Sequence, residues 1–537
     1  MTRVSSKFKF KTTSDFNIIR KMFELSGTEW SGPVSPEEFA DVLTNNIRQY
    51  IENGGKIVAY YVEDTTNSTI VASTFVKHVK GFYKPANRSN AISSLPDPSL
   101  FGVNNITALL ISFVFTHQEY RKQGLAEFCV SSAIEATEEE IIKQKLESSD
   151  DSVVDNFKKM SIVDGSEHLD KDLANYYLGK EYVWYLYSGV NTYYERFGFH
   201  AYPLDFYAAP NTLLTEESEK VITTMIQDSE SSDPSQVKHS GKKLKLLSAD
   251  NPADQEIVQF ILQNKELDIV TEINKLLTHS ELQGDRKSST SLTNLTNILA
   301  MSKPGSHTAL SSITESNTVG AGAGLSGGRR KSSVQNQTVP KFSLKPTYLE
   351  HQWNAFFEKE ILKNKGETTK KFTNIQGAIV TNELQQRSYY ALWFMLKGQF
   401  FIIDMGEMQF QGTQPPVNGR RRGSSLSGIN ELGGFNFQDL EILVLTALYV
   451  AKQRSPKFDK VYTSVVDTPS EIPDPIMFDF FTNYLPATVK ENQSESTKVE
   501  FITDAAHQIG LLPMLKKFGN NKPDFELDFL NSMVFWG

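Results

Sequence analysis

The chain has one cysteine, Cys129, in 537 residues. That excludes an internal disulfide framework and a cysteine-based zinc site, fits a reducing compartment, and leads us to expect a cytoplasmic protein without a metal. No apolar run approaches the ~20 residues of a membrane span. The longest candidate, Leu440 to Ala451, is broken by Glu441 and Thr446 and is expected to be a buried helix. Positive charge is short: 55 Lys and Arg against 64 Asp and Glu give a net charge of −9, which argues against nucleic acid as a partner. Aromatics are missing from the middle, where Phe260 is alone between Tyr207 and Phe342. Two aromatic-rich blocks therefore flank a poor centre, in a chain long enough for two to four domains.

The first block reads as an α/β unit. Lys7-Phe8-Lys9-Phe10-Lys11 alternates with period two, as a strand does; its basic character is also faintly that of a transit peptide. A helix is expected from about Asp15 to Leu25. A second runs from Pro36 to Asn53, started by the Ser35 cap, Pro36 and the acids Glu37 and Glu38. Gly54-Gly55 then turns the chain into a strand, Lys56–Val62, whose hairpin partner is Thr69–Lys77. Residues 80–105 read as loop. Ile106 to Phe115 is nearly all apolar, as a strand covered on both faces should be. The helix after it carries Leu125, Phe128, Cys129, Ser132, Ala133 and Ala136 at helical spacing, which puts Cys129 on the core side. Residues 138–180 look like a surface insertion, Tyr182–Tyr187 is the next strand, and Thr192–Phe199 is a short helix ending at Gly198.

The turn between that buried strand and its helix is Arg121-Lys122-Gln123-Gly124-Leu125-Ala126. Gly124 lets the backbone approach an anion, and the free N–H groups of the first helical turn point at it. Arg121 and Lys122 add charge suited to a pyrophosphate. Alone, the string reads better as simply a glycine in a strand–helix turn. It is joined by Tyr182–Phe199, a strand followed by Tyr193-Tyr194-Glu195-Arg196-Phe197-Gly198-Phe199.

Together the two stretches resemble the GCN5-related N-acetyltransferases, covering residues 6–207. The first matches that family's [Gln/Arg]-x-x-Gly-x-[Gly/Ala] acetyl-CoA loop and the second its Tyr-Glu-x-x-Gly-Phe signature. The resemblance implies an acetyl-CoA-dependent enzyme that acetylates an amine directly, in an α/β fold with a mixed sheet of α+β type. Acetyl-CoA would lie on Phe115, Thr116, Arg121, Lys122, Gln123, Gly124, Leu125 and Ala126. Tyr194 would serve the leaving thiolate as acid, although an aromatic packed under the sheet explains it as well. Phe113-Val-Phe-Thr116, Tyr120-Arg121 and Leu186-Tyr187-Ser188 look more narrowly like the fungal lysine N6-acetyltransferases of lysine catabolism. The substrate implied is a small-molecule amine, the side chain of free lysine, with Glu29 and Trp30 as substrate contacts; protein lysines, N-termini and a non-catalytic CoA-binding scaffold are the alternatives. The sequence departs from the family pattern at Gln118, where a Pro is common, and in the long spacing from Gly124 to Tyr194. The base stays open, since Ile106–Phe115 has no acid.

The expected organisation is an acetyltransferase domain over 1–210, a polar linker over 211–241, and an ordered strand–helix segment over 242–283. A disordered insertion over 284–340 and an acetyltransferase-like α/β domain over 341–537 follow. The last contains a hairpin (Ser388–Leu396 with Gln399–Met405), a flexible insertion at 411–434, a helix Phe437–Gln453 and a strand Lys460–Val466. No second pyrophosphate loop is evident. Arg329-Arg330-Lys331-Ser332 and Arg421-Arg422-Gly423-Ser424 read as basic linker or as sites for a basophilic kinase at Ser332 and Ser424.

Overall fold

A computed structural model describes residues 5–32, 34–84, 103–147, 162–163, 166–167, 178–230, 241–282, 340–362, 372–396, 398–408, 437–455, 457–489, 497–503, 510–519, 527–530 and 532–533. Ser332 and Ser424, and the expected insertions 284–339 and 411–434, lie outside them.

The strands are β1 (Phe8–Thr13), β2 (Lys56–Asp64), β3 (Thr69–Lys84), β4 (Asn104–Thr116), β5 (Ile162–Val163), β6 (Ser166–Glu167), β7 (Tyr182–Ser188), β8 (His200–Ala201) and β9 (Phe206–Pro210). They continue as β10 (Lys242–Ser248), β11 (Lys341–Leu344), β12 (Ile375–Asn382), β13 (Arg387–Leu396), β14 (Gln399–Glu407), β15 (Lys460–Ser464), β16 (Glu500–Ile502), β17 (Leu512–Lys517) and β18 (Asp528–Leu530). The principal helices are α1 (Phe16–Trp30), α2 (Pro36–Glu52), α3 (Leu125–Glu147), α4 (Glu216–Glu230), α5 (Pro252–Leu282), α6 (Tyr348–Leu362) and α7 (Phe437–Arg454).

Two mixed sheets organise the α/β chain. The first has the order β1-β2-β3-β4-β7-β17-β8, with β11 against the far half of β3 and β18 against β11. The second has the order β10-β12-β13-β14-β15-β9-β16. Each sheet thus contains strands from the other end of the chain: β17 lies between β7 and β8, and β9 lies between β15 and β16. Such an exchange buries the edges that each sheet would otherwise present to solvent.

Local sequence explains the elements that carry the site. Asp15 caps α1 by accepting from Asn17 N. Ser35 and Glu38 form a capping box on α2, with Pro36 at the first helical position. Helix α1 runs on past Leu25 to Trp30, and Ile19, Met22 and Phe23 set its buried face. Helix α3 extends to Glu147, so the first part of the expected 138–180 insertion is helical. Residues 80–84 and 104–105, expected as loop, prolong β3 and β4.

The linker expected over 211–241 needs correction. Residues 216–230 form α4, and Ile222, Met225 and Ile226 enter the same core as α7. The helical spacing of these few apolar side chains was masked by the surrounding acids and hydroxyls. The short helix expected over 192–199 is instead 3₁₀ turns over Asn191–Phe197, closed by Gly198 at φ +87°.

One face of the first sheet packs on α3 through Val76, Leu109, Ile111, Trp184 and Leu186. On the other face, Leu110, Val183 and Tyr185 share a core with α5 and with Tyr390, Leu392 and Phe401 of the second sheet. The two lobes are therefore joined by a common apolar layer.

Candidate functional site

Strand β4 pairs in parallel with β7 only over Thr107–Leu110 against Tyr182–Tyr185. Beyond Leu110, β4 continues to Thr116 while β7 diverges, opening a wedge between their ends. On its other side β4 stays on β3, with a bulge: Phe75 faces Ser112 and Ser73 faces Phe115, so Phe113 and Val114 lie together opposite Thr74. Phe113 adopts φ +49°, strained for an aromatic residue. The conformation is held by Phe23 at 5.2 Å and Phe75 at 5.8 Å, both edge to face.

The strand leads into a tight turn. His117 Nδ1 accepts from Glu119 N at 3.2 Å, capping a 3₁₀ turn over Gln118–Tyr120. Arg121 is folded back, its Nε donating to Thr116 O at 3.2 Å and its guanidinium 5.8 Å from the Phe115 ring. Lys122 and Gly124 both have left-handed backbones, at φ +64° and +75°. Alternating conformations of this kind turn successive N–H groups to one side as a nest for an anion, and α3 begins at the next residue, Leu125. The first N–H groups of a helix have no internal acceptor, so Gln123, Gly124, Leu125 and Ala126 form the rim of the nest. Thr116 Oγ1 is buried without a hydrogen-bond partner among the described residues. All eight residues expected on the cofactor side thus fall on one strand end and one turn.

The two expected substrate contacts are beside them. Trp30, 42% exposed, packs edge-on against Phe115 at 5.2 Å. Glu29 is ion-paired with Arg121 Nη2, so its carboxylate sits on the cation of the turn. Tyr194 lies in the core with Ile111 and Leu186, the first residues past the point of divergence. Tyr193 is 5.2 Å away and Phe199 6.3 Å away. Burial raises the Tyr194 pKa above its ordinary value, with Tyr193 adding to the shift. Cys129 is fully buried and its thiol is pushed up, so it stays protonated. Glu37 and Glu38 sit in the first turn of α2, where Glu38 is committed to the capping box.

Sequence reasoning missed a set of acids from the second lobe that reach toward β7. Tyr187, on its diverging end, donates to Ser532 O at 3.4 Å. Ser532 Oγ donates to Asp467 Oδ1, and Met533 N donates to Oδ2 of the same carboxylate at 3.0 Å. Burial pushes Asp467 up to about 7, against the opposing pull of Lys265. Lys265 Nζ in turn donates to Asp404 Oδ1 at 2.6 Å, and Tyr390 donates to Oδ2 at 2.9 Å. No local motif marks these residues; they meet only because the C-terminal segment returns to the first sheet. Among the described residues no group of three or more His, Cys, Asp or Glu is placed to hold a metal ion, and no helix is long and apolar enough to cross a membrane.

No family model matches the chain. No curated protein matches it in sequence. Solved structures resemble it at low identity. A tandem GNAT protein from the clavulanic acid biosynthesis pathway is 7% identical, over 96% of this chain and 99% of that one, with a TM-score of 0.35. A probable N-acyltransferase from Enterococcus faecalis is 7% identical, over 96% and 73%, with a TM-score of 0.38. The Saccharomyces cerevisiae N-myristoyltransferase with bound myristoyl-CoA is 10% identical, over 97% and 85%, with a TM-score of 0.35.

Proposed function

We propose that the protein is an acyl-CoA-dependent N-acyltransferase that uses acetyl-CoA. The observation that carries this reading is the continuity of the wedge between β4 and β7 with the nest at Lys122 and Gly124. An extended thioester needs a free strand edge, and its pyrophosphate needs converging N–H groups; both are present on one stretch of chain. Thr116 Oγ1 supplies an unmatched hydroxyl, and Arg121 supplies charge once Glu29 lets it go.

In the reaction the amine nitrogen forms a bond to the thioester carbonyl carbon and the C–S bond breaks. The sulfur leaves as thiolate and the surplus amine proton passes to a base or to water. The role of β4 is to align the thioester and to offer a backbone N–H to the carbonyl oxygen as negative charge grows on it. Tyr194 fits a narrower role than full proton donation. A thiol has a pKa near 8.5 and burial keeps the Tyr194 phenol above its ordinary value, so transfer to the thiolate is uphill. A hydrogen bond from the phenol to the leaving sulfur is the role its chemistry supports.

The side-chain amine of free lysine is the acceptor we favour, on the resemblance of the strand and Tyr-rich segments and on the position of Glu29 and Trp30 beside Phe115. The test is acetyl transfer from acetyl-CoA to a panel of amino acids, polyamines and peptides. Turnover with free lysine is expected. Turnover only with peptides would move the acceptor to protein amines, and CoA binding without any turnover would leave a scaffold.

A further inference from the structure

Between α2 and α6 lies a cleft of about 160 Å³, open on one side, with walls from both lobes. Its floor is made by Tyr50 and Trp353, whose rings meet edge to face at 5.4 Å. Both rings are fixed from behind. The Lys77 ammonium lies 4.6 Å from the Tyr50 ring and 4.5 Å from the Trp353 ring. It is paired with the buried Glu350 carboxylate, which also accepts the Tyr50 hydroxyl at 2.6 Å. Asn46 Nδ2 donates to Trp353 O at 3.1 Å and ties α2 to α6. A desolvated cation between two rings, with its carboxylate satisfied, makes a rigid aromatic floor. Tyr348 and Phe356, both half-buried, add ring surface to the wall.

The polar lining is mostly amide, from Gln49, Gln352 and Gln376. The two charged lining residues, Asp250 and Lys359, pair with each other at 2.5 Å, so the cleft offers no uncompensated charge. Gln376 is 5% exposed, and its Oε1 meets His351 Nε2 at 2.8 Å. Its Nε2 has no hydrogen-bond partner among the described residues. A buried amide donor without an acceptor is costly, and its residue lines both this cleft and the smaller cavity beside His351.

We propose that this cleft binds an uncharged single-ring heteroaromatic amide, of the pyrimidine-base or nicotinamide kind, with its ring against the aromatic wall and its carbonyl accepting from Gln376 Nε2. A charged ligand would lose hydration without a partner, and an aliphatic one would leave the amides unpaired. An aromatic amide satisfies both surfaces. The site is independent of the acetyl-CoA turn.

The experiment is ligand-observed saturation-transfer NMR, followed by titration, on the full chain with uridine, cytidine and nicotinamide. None carries an adenine, so the turn at Gly124 does not compete for the probe. Saturable binding of at least one probe below roughly 20 mM is expected, weakened about tenfold by Gln376→Leu. If that variant does not fold, Gln352→Ala and Phe356→Ala on the open wall should each weaken binding several-fold. Absence of saturable binding for all three probes, or variants that bind like the wild type, would overturn the proposal.

Discussion

In the first sheet β4 leaves β7 after Leu110 and runs on to Thr116; in the second, β14 leaves β15 after Ile402 and runs on to Glu407. Both strands carry an irregularity near the point of divergence, at Phe113 in one and between Asp404 and Ile402 in the other. The resemblance stops at what lies in the gap. Past its divergence the first strand carries Ile111 and Phe115, both buried, and leads to the left-handed Lys122 and Gly124. The second holds Asp404, fully buried and bonded to Lys265 and Tyr390. On the proposed function the first opening receives a chain of atoms from outside, whereas in the second Asp404 is bonded to the protein's own Lys265 and Tyr390. A repeated backbone geometry is therefore not a repeated site; the side chains at the divergence decide.

The largest expected effect breaks the filled gap. Lys265→Met leaves the Asp404 carboxylate buried with only Tyr390, which should cost about 3–5 kcal/mol in urea unfolding, while affinity for CoA stays unchanged. An unaltered unfolding midpoint would mean that the pair does not hold the second gap. Next, Tyr194→Phe in the open gap should lower kcat about a hundredfold with KM for acetyl-CoA preserved. Wild-type turnover in that variant would return Tyr194 to a packing role.

A pH test sharpens the contrast further. Asp467 has a folded pKa of about 7, raised by burial from 3.8, with Lys265, Ser532 and Met533 N lowering it and Asp404 raising it. Tyr187 also faces this carboxylate. The folded state therefore binds more protons than the unfolded state between those values, and stability falls as pH rises from about 4 to about 7. Asp467→Asn should flatten that fall in thermal melts recorded across the window. An unchanged slope would assign it to Glu471, which is also raised to about 7. The smallest effect is at the surface: Glu29→Gln frees Arg121 and should tighten CoA binding roughly two- to threefold at low salt, the gain fading as salt is added. Weaker binding would show that Glu29 supports the turn rather than competing for it.

Much of the first lobe was legible because its signals are local. Ser35-Pro36 begins a helix through capping chemistry, Ile106–Phe115 is a covered strand by composition, and Arg121–Ala126 is a strand-to-helix turn marked by Gly124, which takes a left-handed backbone. The hairpin of β13 and β14 was equally clear from its two apolar runs around Lys397-Gly398. What sequence concealed depends on distant partners. β9 and β17 are short strands whose sheets are at opposite ends of the chain, and α4 is amphipathic with too few apolar residues to stand out. The bulge at Phe113 is set by packing on Phe23 and Phe75. Asp404, Asp467 and Lys265 are ordinary charged residues until the fold buries them together.

Calorimetric titration of the full chain with CoA tests the central claim most directly. The wild type should bind one CoA per chain, and Gly124→Glu, which puts a bulky anion at a left-handed position in the nest, should weaken binding at least about a hundredfold. Two equivalents bound, or affinity retained in Gly124→Glu, would contradict the assignment of a single open site to the turn that follows β4.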